Sequence, residues 1–500
     1  MKHIITYTLL LALCLGLASC NKWLDLKPQD GIVRENFWKT KEQVEAAVVG
    51  IYASMLGSHS NTNDLPLTEY FFIWGEARTD MVTPSFRTFA DEFDIININI
   101  QPTNRFSSWR SVYQTINYCN TVLELAPDVL NQDNTFKQEQ LDRSIGEALV
   151  IRSLMYFYLV RVFRDVPLKL NATISDENIT ALPKTGGDSI LNQLVADLKK
   201  AAPLLPLTYG NIDKDKGRAT RYTVNALLAD VYLWMEKYTE CAAECDKVIN
   251  SGNFGLIGGD LSLFNEVYFK GNSAESIFEL QFDAQKINSF HNLHFLNTRR
   301  WSAAPQIMEE VFGVDVVNAV PFKDKRGEFT SLRPSDQTIW KYIGANETGT
   351  SLRAPDQSYA HWIFYRYADI LLMKAEAINQ LDQPLEASRL VKTIRQRAEA
   401  FDFGAPMDST SKESMEAYII DERQREFAFE GKRWFDVLRN SKRNNYRNLS
   451  YMITMTAVSI PAERQQAAFT KLRDPNSHYM PIALYELQSN KLLVQNPFYK

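Results

Sequence analysis

The chain has few of the residues that build disulfide scaffolds, metal centres or nucleic-acid surfaces. Its 500 residues include only 5 cysteines and 6 histidines. Cys14 belongs to the N-terminal leader and Cys20 directly follows it, which leaves Cys119, Cys241 and Cys245 for the body. Three thiols, two of them four residues apart on a helical pattern, do not make a disulfide framework, and the scattered histidines show no zinc spacing. The three cysteines read as small buried hydrophobes. His291 and His294 stand three apart without a third ligand nearby. No metal or other cofactor is expected. Positive charge is not in excess: 55 Lys and Arg against 60 Asp and Glu leave a net charge of −5, which argues against a nucleic-acid partner. With 19 prolines and 21 glycines, collagen-like and low-complexity chains are excluded. Beyond the leader no stretch reaches the roughly 18 apolar residues that a membrane-crossing helix needs.

What is present is enough for a large core: 45% of residues are hydrophobic and 12% aromatic. The leader combines Lys2 and His3, an apolar run from Leu9 to Leu17, and Leu17-Ala18-Ser19-Cys20. A positive start, a short apolar run and small residues before a cut site form a secretory signal. With cysteine at its end the pattern resembles a bacterial lipobox. Residues 1–19 are therefore expected to be a lipoprotein signal peptide and Cys20 the lipidated residue. Two or three acyl chains hold such a protein at a membrane, each buried CH₂ contributing about 0.8 kcal/mol. Residues 20–39 then read as a tether.

From Thr40 onward the apolar spacing is mostly helical. Val44, Ala47, Val48, Ile51 and Met55 make one stripe behind a Thr40 cap. Further helices are expected over 69–82, from Trp109 to a stop at Pro127, over 144–165 and over 188–202. Residues 83–108 read as a long loop with short strands. Two helical hairpins follow, near 220–252 (Tyr222, Ala226, Ala229, Leu233; then Cys241, Cys245, Val248) and near 366–400 (Leu371, Ala375, Ile378; then Ala387, Leu390, Ile394, Ala398). About 30 residues per pair with small residues at the crossing look like tetratricopeptide units. The copies lie far apart in sequence, so no tandem array is predicted. Residues 253–362 are irregular, with one clear strand signal in Ser276 to Phe282. The fold class is mostly α: a single domain over 40–500, with helical hairpins as scaffold, a loop-rich binding subdomain and a C-terminal helical motif at 415–440.

An ordered set of short motifs runs the length of the chain. Trp23-Leu24-Asp25 follows Cys20, and Phe37-Trp38-Lys39-Thr40 precedes Ala46-Ala47-Val48-Val49-Gly50-Ile51-Tyr52. Glu147-Ala148 leads to Arg152, Tyr156, Phe157 and Arg161, then Val166-Pro167-Leu168. Thr220-Arg221-Tyr222-Thr223 and Arg366-Tyr367-Ala368-Asp369 open the two hairpins. Glu422-Arg423-Gln424-Arg425-Glu426 runs on through Phe427 and Phe429 to Glu430, Gly431, Arg433, Trp434 and Asp436, and Gln495-Asn496-Pro497-Phe498-Tyr499 closes the chain. Together with the lipobox, this set resembles the SusD/RagB family of Bacteroidetes outer-membrane lipoproteins. Arg164 is a departure, standing where that family usually has glycine. The resemblance implies a cell-surface protein without catalytic activity. It would be anchored to outer-membrane lipid through Cys20, bind glycan nutrients, and serve a SusC-like TonB-dependent β-barrel transporter as partner. The alternatives kept open are a peptide-binding, RagB-like protein and a helical-repeat adaptor that binds only proteins.

The carboxylates of the 422–436 motif invite a catalytic reading. Glu422, Glu426 and Glu430 are spaced for one helix face, where like charges repel unless cations intervene. Arg423 and Arg433 are placed to pair with Glu426 and Glu430, so a half-buried ion network is the expectation. No pair with glycosidase geometry is identifiable. Ligand contacts are sought among aromatics outside helical stripes, because a sugar's C–H face packs on a ring while charged groups bond its hydroxyls. Three clusters qualify: Trp74 to Arg87, with Asp80, Phe86 and Arg87; Phe290 to Trp301, with Arg299, Arg300 and Trp301; and Trp340 to Arg353, with Tyr342. Trp301 beside two arginines is the first choice.

Overall fold

The computed structural model describes residues 37–57, 65–174, 180–259, 262–313, 323–400 and 406–500. The expected signal peptide, Cys20 and most of the 20–39 tether lie outside the described residues. Helix α1 (Lys41–Leu56) starts where expected, with Gln43 Oε1 accepting from the backbone N–H of Thr40 at 3.1 Å, which satisfies one orphan donor of the first turn. Its Val44, Val48, Ile51 and Met55 are fully buried. Helix α2 (Leu67–Glu76) is buried on every side, including Glu69 and Glu76. Strand β1 (Val82–Pro84) and helix α3 (Ala90–Ile96) occupy the stretch expected to be loop with short strands.

Helices α4 (Arg110–Val129) and α5 (Gln138–Phe163) form an antiparallel hairpin. Pro127, expected to end α4, lies inside its last turn, and the helix runs two residues further. Arg164 takes a φ of +67° after α5, the left-handed region where glycine is cheapest, so the departure from the family's glycine costs strain at that turn. Helix α6 (Gly187–Ala201) packs on α5.

The two predicted hairpins are α7 (Arg221–Trp234) with α8 (Tyr238–Ile249), and α9 (Tyr367–Gln380) with α10 (Pro384–Arg397). Although distant in sequence they stack in space, α8 against α9, with the buried Cys241 thiol 3.9 Å from the Met373 carbonyl. Tetratricopeptide-like units therefore do adjoin, because the loop-rich insertion leaves and returns beside them. Its base is a two-stranded antiparallel ladder, Ser276–Leu280 (β2) with Trp362–Arg366 (β6). Both strands are buried throughout, so the alternation of Ser276 to Phe282 does not mark a wet face.

Within the insertion, β3 (Trp301–Ala303) pairs with β1, and β4 (Leu332–Arg333) pairs with β5 (Thr338–Ile339). The C-terminal part contributes α11 (Lys412–Glu426) and α12 (Arg433–Tyr446). The turn between them presses on α2. A Cβ on Gly75 would lie 1.9 Å from the Gly431 carbonyl oxygen, and Gly431 itself has a φ of +71°. Both positions require glycine.

Candidate functional site

The β1–β3 ladder brings together two of the three clusters singled out from the sequence. Thr83 faces Ser302 and Pro84 faces Trp301 across it. Beyond the strand end, Ser85 N donates to the Arg300 carbonyl at 3.0 Å. The segment just before the third cluster adjoins at β3, where Ala303 N donates to Gln337 O and the Arg299 guanidinium donates to Asp336 O at 2.7 Å.

Most of the aromatic candidates are closed to a ligand here. Trp301 is fully buried, and its indole N–H donates to Glu92 Oε1 at 2.9 Å. Trp74 is buried and donates to Phe106 O; Trp340 is buried and donates to Asn346 O; Tyr342 is buried and donates to Phe429 O. Each ring has its polar edge satisfied by a carbonyl or carboxylate, which lets a Trp or Tyr settle in a core. His294 is packed between Phe72, Phe290 and Tyr342, and burial holds its imidazole down at about 3.

Arg300 is buried as well. It donates to Glu69 Oε2 at 2.6 Å and, through Nε, to Glu92 Oε1 at 2.9 Å. Burial opposes its charge, but Glu69 and Glu92 outweigh this and raise its pKa further. Asp80 points elsewhere, to Arg433 at 2.9 Å and Gln424 at 2.8 Å, and borders a pocket of about 220 Å³ near Tyr451 and Val458.

The residues left in water form a short segment. Phe86, Phe89 and Phe93 are 64%, 40% and 42% exposed. Phe89 caps α3, and Phe93 follows one turn later on the same face. Arg299 lies 5.7 Å from the Phe86 ring centroid, and Arg105 lies 4.9 Å from that of Phe89. Arg105 is tied to Asp91 at 2.9 Å, whereas Arg87 is exposed and makes no ion pair among the described residues. Phe86, Arg87 and Arg299 of the sequence-based set are thus at the surface together; Phe89, Phe93 and Arg105 were not singled out. The signal that could have found them is the spacing of Phe86, Phe89 and Phe93, three and four residues apart.

Trp301 and Arg300 still act on this surface, from beneath. Glu92, fully buried, accepts from both of them and through Oε2 from the Phe89 backbone N–H at 2.7 Å. A buried carboxylate held by three donors, one of them charged, is rigid. Phe89 is therefore fixed at the helix start, its ring 40% exposed with the buried Arg300 guanidinium 4.4 Å from its centroid. Thr88 Oγ1 adds a bond to the Arg300 carbonyl. The arrangement offers partly exposed apolar rings with guanidinium groups over them, suited to ligands that combine apolar and polar surface.

The 422–436 motif is a different place. Helix α11 ends at Glu426, and Glu430 sits in the following turn where Phe429 has a φ of +67°, so the three glutamates do not share one helix face. Their partners also differ from those that spacing suggests. Glu426 meets Arg326, Arg366 and Arg397; Glu430 meets Arg366 and Lys341; Arg423 meets Asp436; Arg433 meets Asp80. All are buried. Burial alone would raise Glu430, but Arg366, Lys341 and Lys432 hold it down at about 2. Among the described residues no group of three or more His, Cys, Asp or Glu is placed to hold a metal.

Comparison with known proteins gives consistent matches. The SusD family profile matches residues 338–499, and a second profile, described as "Starch-binding associating with outer membrane", matches residues 22–233. A SusD-like protein of Formosa agariphila is 27% identical over 483 residues, covering 88% of this chain and 92% of the relative. Another from the same organism is 25% identical, covering 99% of this chain and 98% of its own. A SusD superfamily structure from Bacteroides thetaiotaomicron superimposes with a TM-score of 0.72 at 20% identity, covering 93% of this chain and 99% of that one. A structure titled a SusD-like carbohydrate binding protein, from Bacteroides fragilis, gives a TM-score of 0.69 at 20% identity, covering 92% and 100%.

Proposed function

This chain belongs to the SusD/RagB family, and we propose that it binds a glycan at the Phe86–Phe89–Phe93 segment and passes it to a SusC-like TonB-dependent transporter in the outer membrane, without reacting with it. The observation that carries the site is the exposure of three phenylalanines within eight residues, edged by Arg87, Arg105 and Arg299. Leaving such rings in water has a cost in the unbound protein, and a sugar's C–H face relieves it. The starch-binding description of the profile matching residues 22–233, and the carbohydrate binding of the Bacteroides fragilis neighbour, support a glycan as ligand. The non-catalytic reading is supported by the carboxylates of the 422–436 motif, each enclosed by arginine or lysine rather than open to a substrate. Anchoring through a lipidated Cys20 rests on the lipobox pattern, and no described helix is long and apolar enough to cross a membrane.

The test is affinity electrophoresis and calorimetry of the full chain in detergent against a panel of polysaccharides and oligopeptides. The expected result is binding of one glycan class, lost when Phe86, Phe89 and Phe93 are all replaced by serine. Binding of peptides alone would replace the glycan by a peptide ligand. Capture of the barrel encoded in the same genome, by pull-down with the full chain, checks the partnership.

A further inference from the structure

A second concave surface shares no residue with the phenylalanine segment. It lies where α1, α5 and the loop leading to Lys214 approach one another, and it encloses about 410 Å³. Its lining includes the buried Phe136, the Tyr209 ring and the cations Lys41, Arg143, Lys214 and Arg218. The two carboxylates of the lining are already matched. Arg218 pairs with Glu45 and with the buried Glu147 at 2.7 Å, and Lys41 lies 3.9 Å from Glu42. Arg143 and Lys214 have no ion-pair partner among the described residues. Arg143 stands 5.9 Å from the Tyr209 ring centroid, half-buried, with its donors directed to no carboxylate.

Two unmatched cations on a concave surface, Arg143 half-buried and Lys214 exposed, favour an anion more strongly than the same charges on a flat one. A guanidinium offers paired donors that fit an oxyanion, and the half-buried Tyr209 ring, which also has Arg218 at 5.3 Å from its centroid, gives the concavity an apolar wall. The volume is within the range of small-molecule sites. We propose that this pocket is a binding site for an acidic sugar, a single ring bearing a carboxylate or phosphate, with Arg143 and Lys214 holding the oxyanion and Tyr209 the ring. The inference does not depend on what the phenylalanine segment binds.

Calorimetry of the full chain at low salt, with glucuronate, glucose 6-phosphate and glucose as probes, tests it. Both anions are expected to bind and glucose not. Loss of one charged hydrogen bond weakens binding about tenfold or more. Arg143→Gln and Lys214→Gln should therefore each have that effect, and the double variant should abolish binding. Added salt should weaken it, and the triple serine variant at Phe86, Phe89 and Phe93 should leave it unchanged. Absence of heat with either anion overturns the proposal. So does anion binding that survives the double variant, or that disappears with the phenylalanine variant instead. Should Arg143→Gln unfold the protein, as melting by circular dichroism would reveal, the exposed Lys214 decides alone.

Discussion

Residues 422–436 and residues 85–105 both carry carboxylates, arginines and aromatic rings in close succession, yet only the second keeps its rings in water. In the first, Arg366, Arg423 and Lys432 surround Phe427 at 4.6–4.8 Å from its ring centroid, and Arg78 lies over Trp434 at 3.8 Å. Phe427 and Trp434 are buried, and every charge named is met by a partner from elsewhere in the chain or by a carbonyl. In the second, cations also sit over rings, but only Glu92 finds a buried partner. The difference teaches that an arginine–aromatic cluster is closed or open according to whether remote segments complete its charges. Adjacent residues show the same split: Arg300 is locked between Glu69 and Glu92, while Arg299 reaches the surface beside Phe86.

The strongest way to break the comparison is to remove a cation from the closed region. Arg366→Ala leaves Glu275, Glu426 and Glu430 facing one another, and should destabilise the fold by about 3–5 kcal/mol, seen as a lower midpoint in denaturant unfolding. A change below about 1 kcal/mol would mean that the network is not what closes this region. Next, Glu92→Gln should cost about 1–3 kcal/mol and also weaken glycan binding, because the amide keeps only one acceptor oxygen for Arg300, Trp301 and Phe89 and removes the charge opposite Arg300. If affinity stays at the parent value while stability falls, the buried cluster does not position the surface.

Replacing Phe86, Phe89 and Phe93 by serine should do the opposite. Affinity is expected to fall by about tenfold to a thousandfold, read as lost binding in calorimetry, since each of the three ring contacts contributes about 0.5–1.5 kcal/mol. Melting temperature should move little, as exposed side chains contribute little to folding. A pH series sharpens the contrast further. Burial raises the Glu76 carboxyl to about 8, against the Gly431 N–H that it accepts. A raised folded-state pKa means that its stabilisation is complete below about 4.5 and is lost as pH rises toward about 8. Stability should therefore decline across that range, and Glu76→Gln should flatten the decline; an unchanged slope in the variant would remove Glu76 as its source. The smallest effect is expected at Arg87→Gln, a change in glycan affinity of about threefold or less with no change in melting, because its charge is exposed and screened.

The helical scaffold was legible because burial follows period. Val44, Val48, Ile51 and Met55, and Tyr222, Ala226, Ala229 and Leu233, are buried as their spacing requires. Helix α3 was not, because its segment is rich in asparagine and ends in short apolar pairs, and its start depends on Glu92 turning back to Phe89. Of the proposed site, only Phe86, Arg87 and Arg299 fall within the regions singled out from the sequence, 74–87 and 290–301; Phe89, Phe93 and Arg105 lie outside them. Trp301 looked like a contact because tryptophan beside arginine suits a sugar; its burial is set by Glu92, which no local pattern links to it.

By itself the sequence determined what depends on local order: the helix stripes, the cap at Thr40, the lipobox pattern at Cys20, and the ordered motifs that place the chain in its family. Only the tertiary structure decided which charges and rings remain available. For Trp301 and Arg366 burial goes with a distant carboxylate that completes their hydrogen bonds, Glu92 for Trp301 and Glu426 for Arg366. Where no such partner arrives, as at Arg87, the side chain stays at the surface; Arg299, which donates to Asp336 O and Ser85 Oγ, is only half-buried.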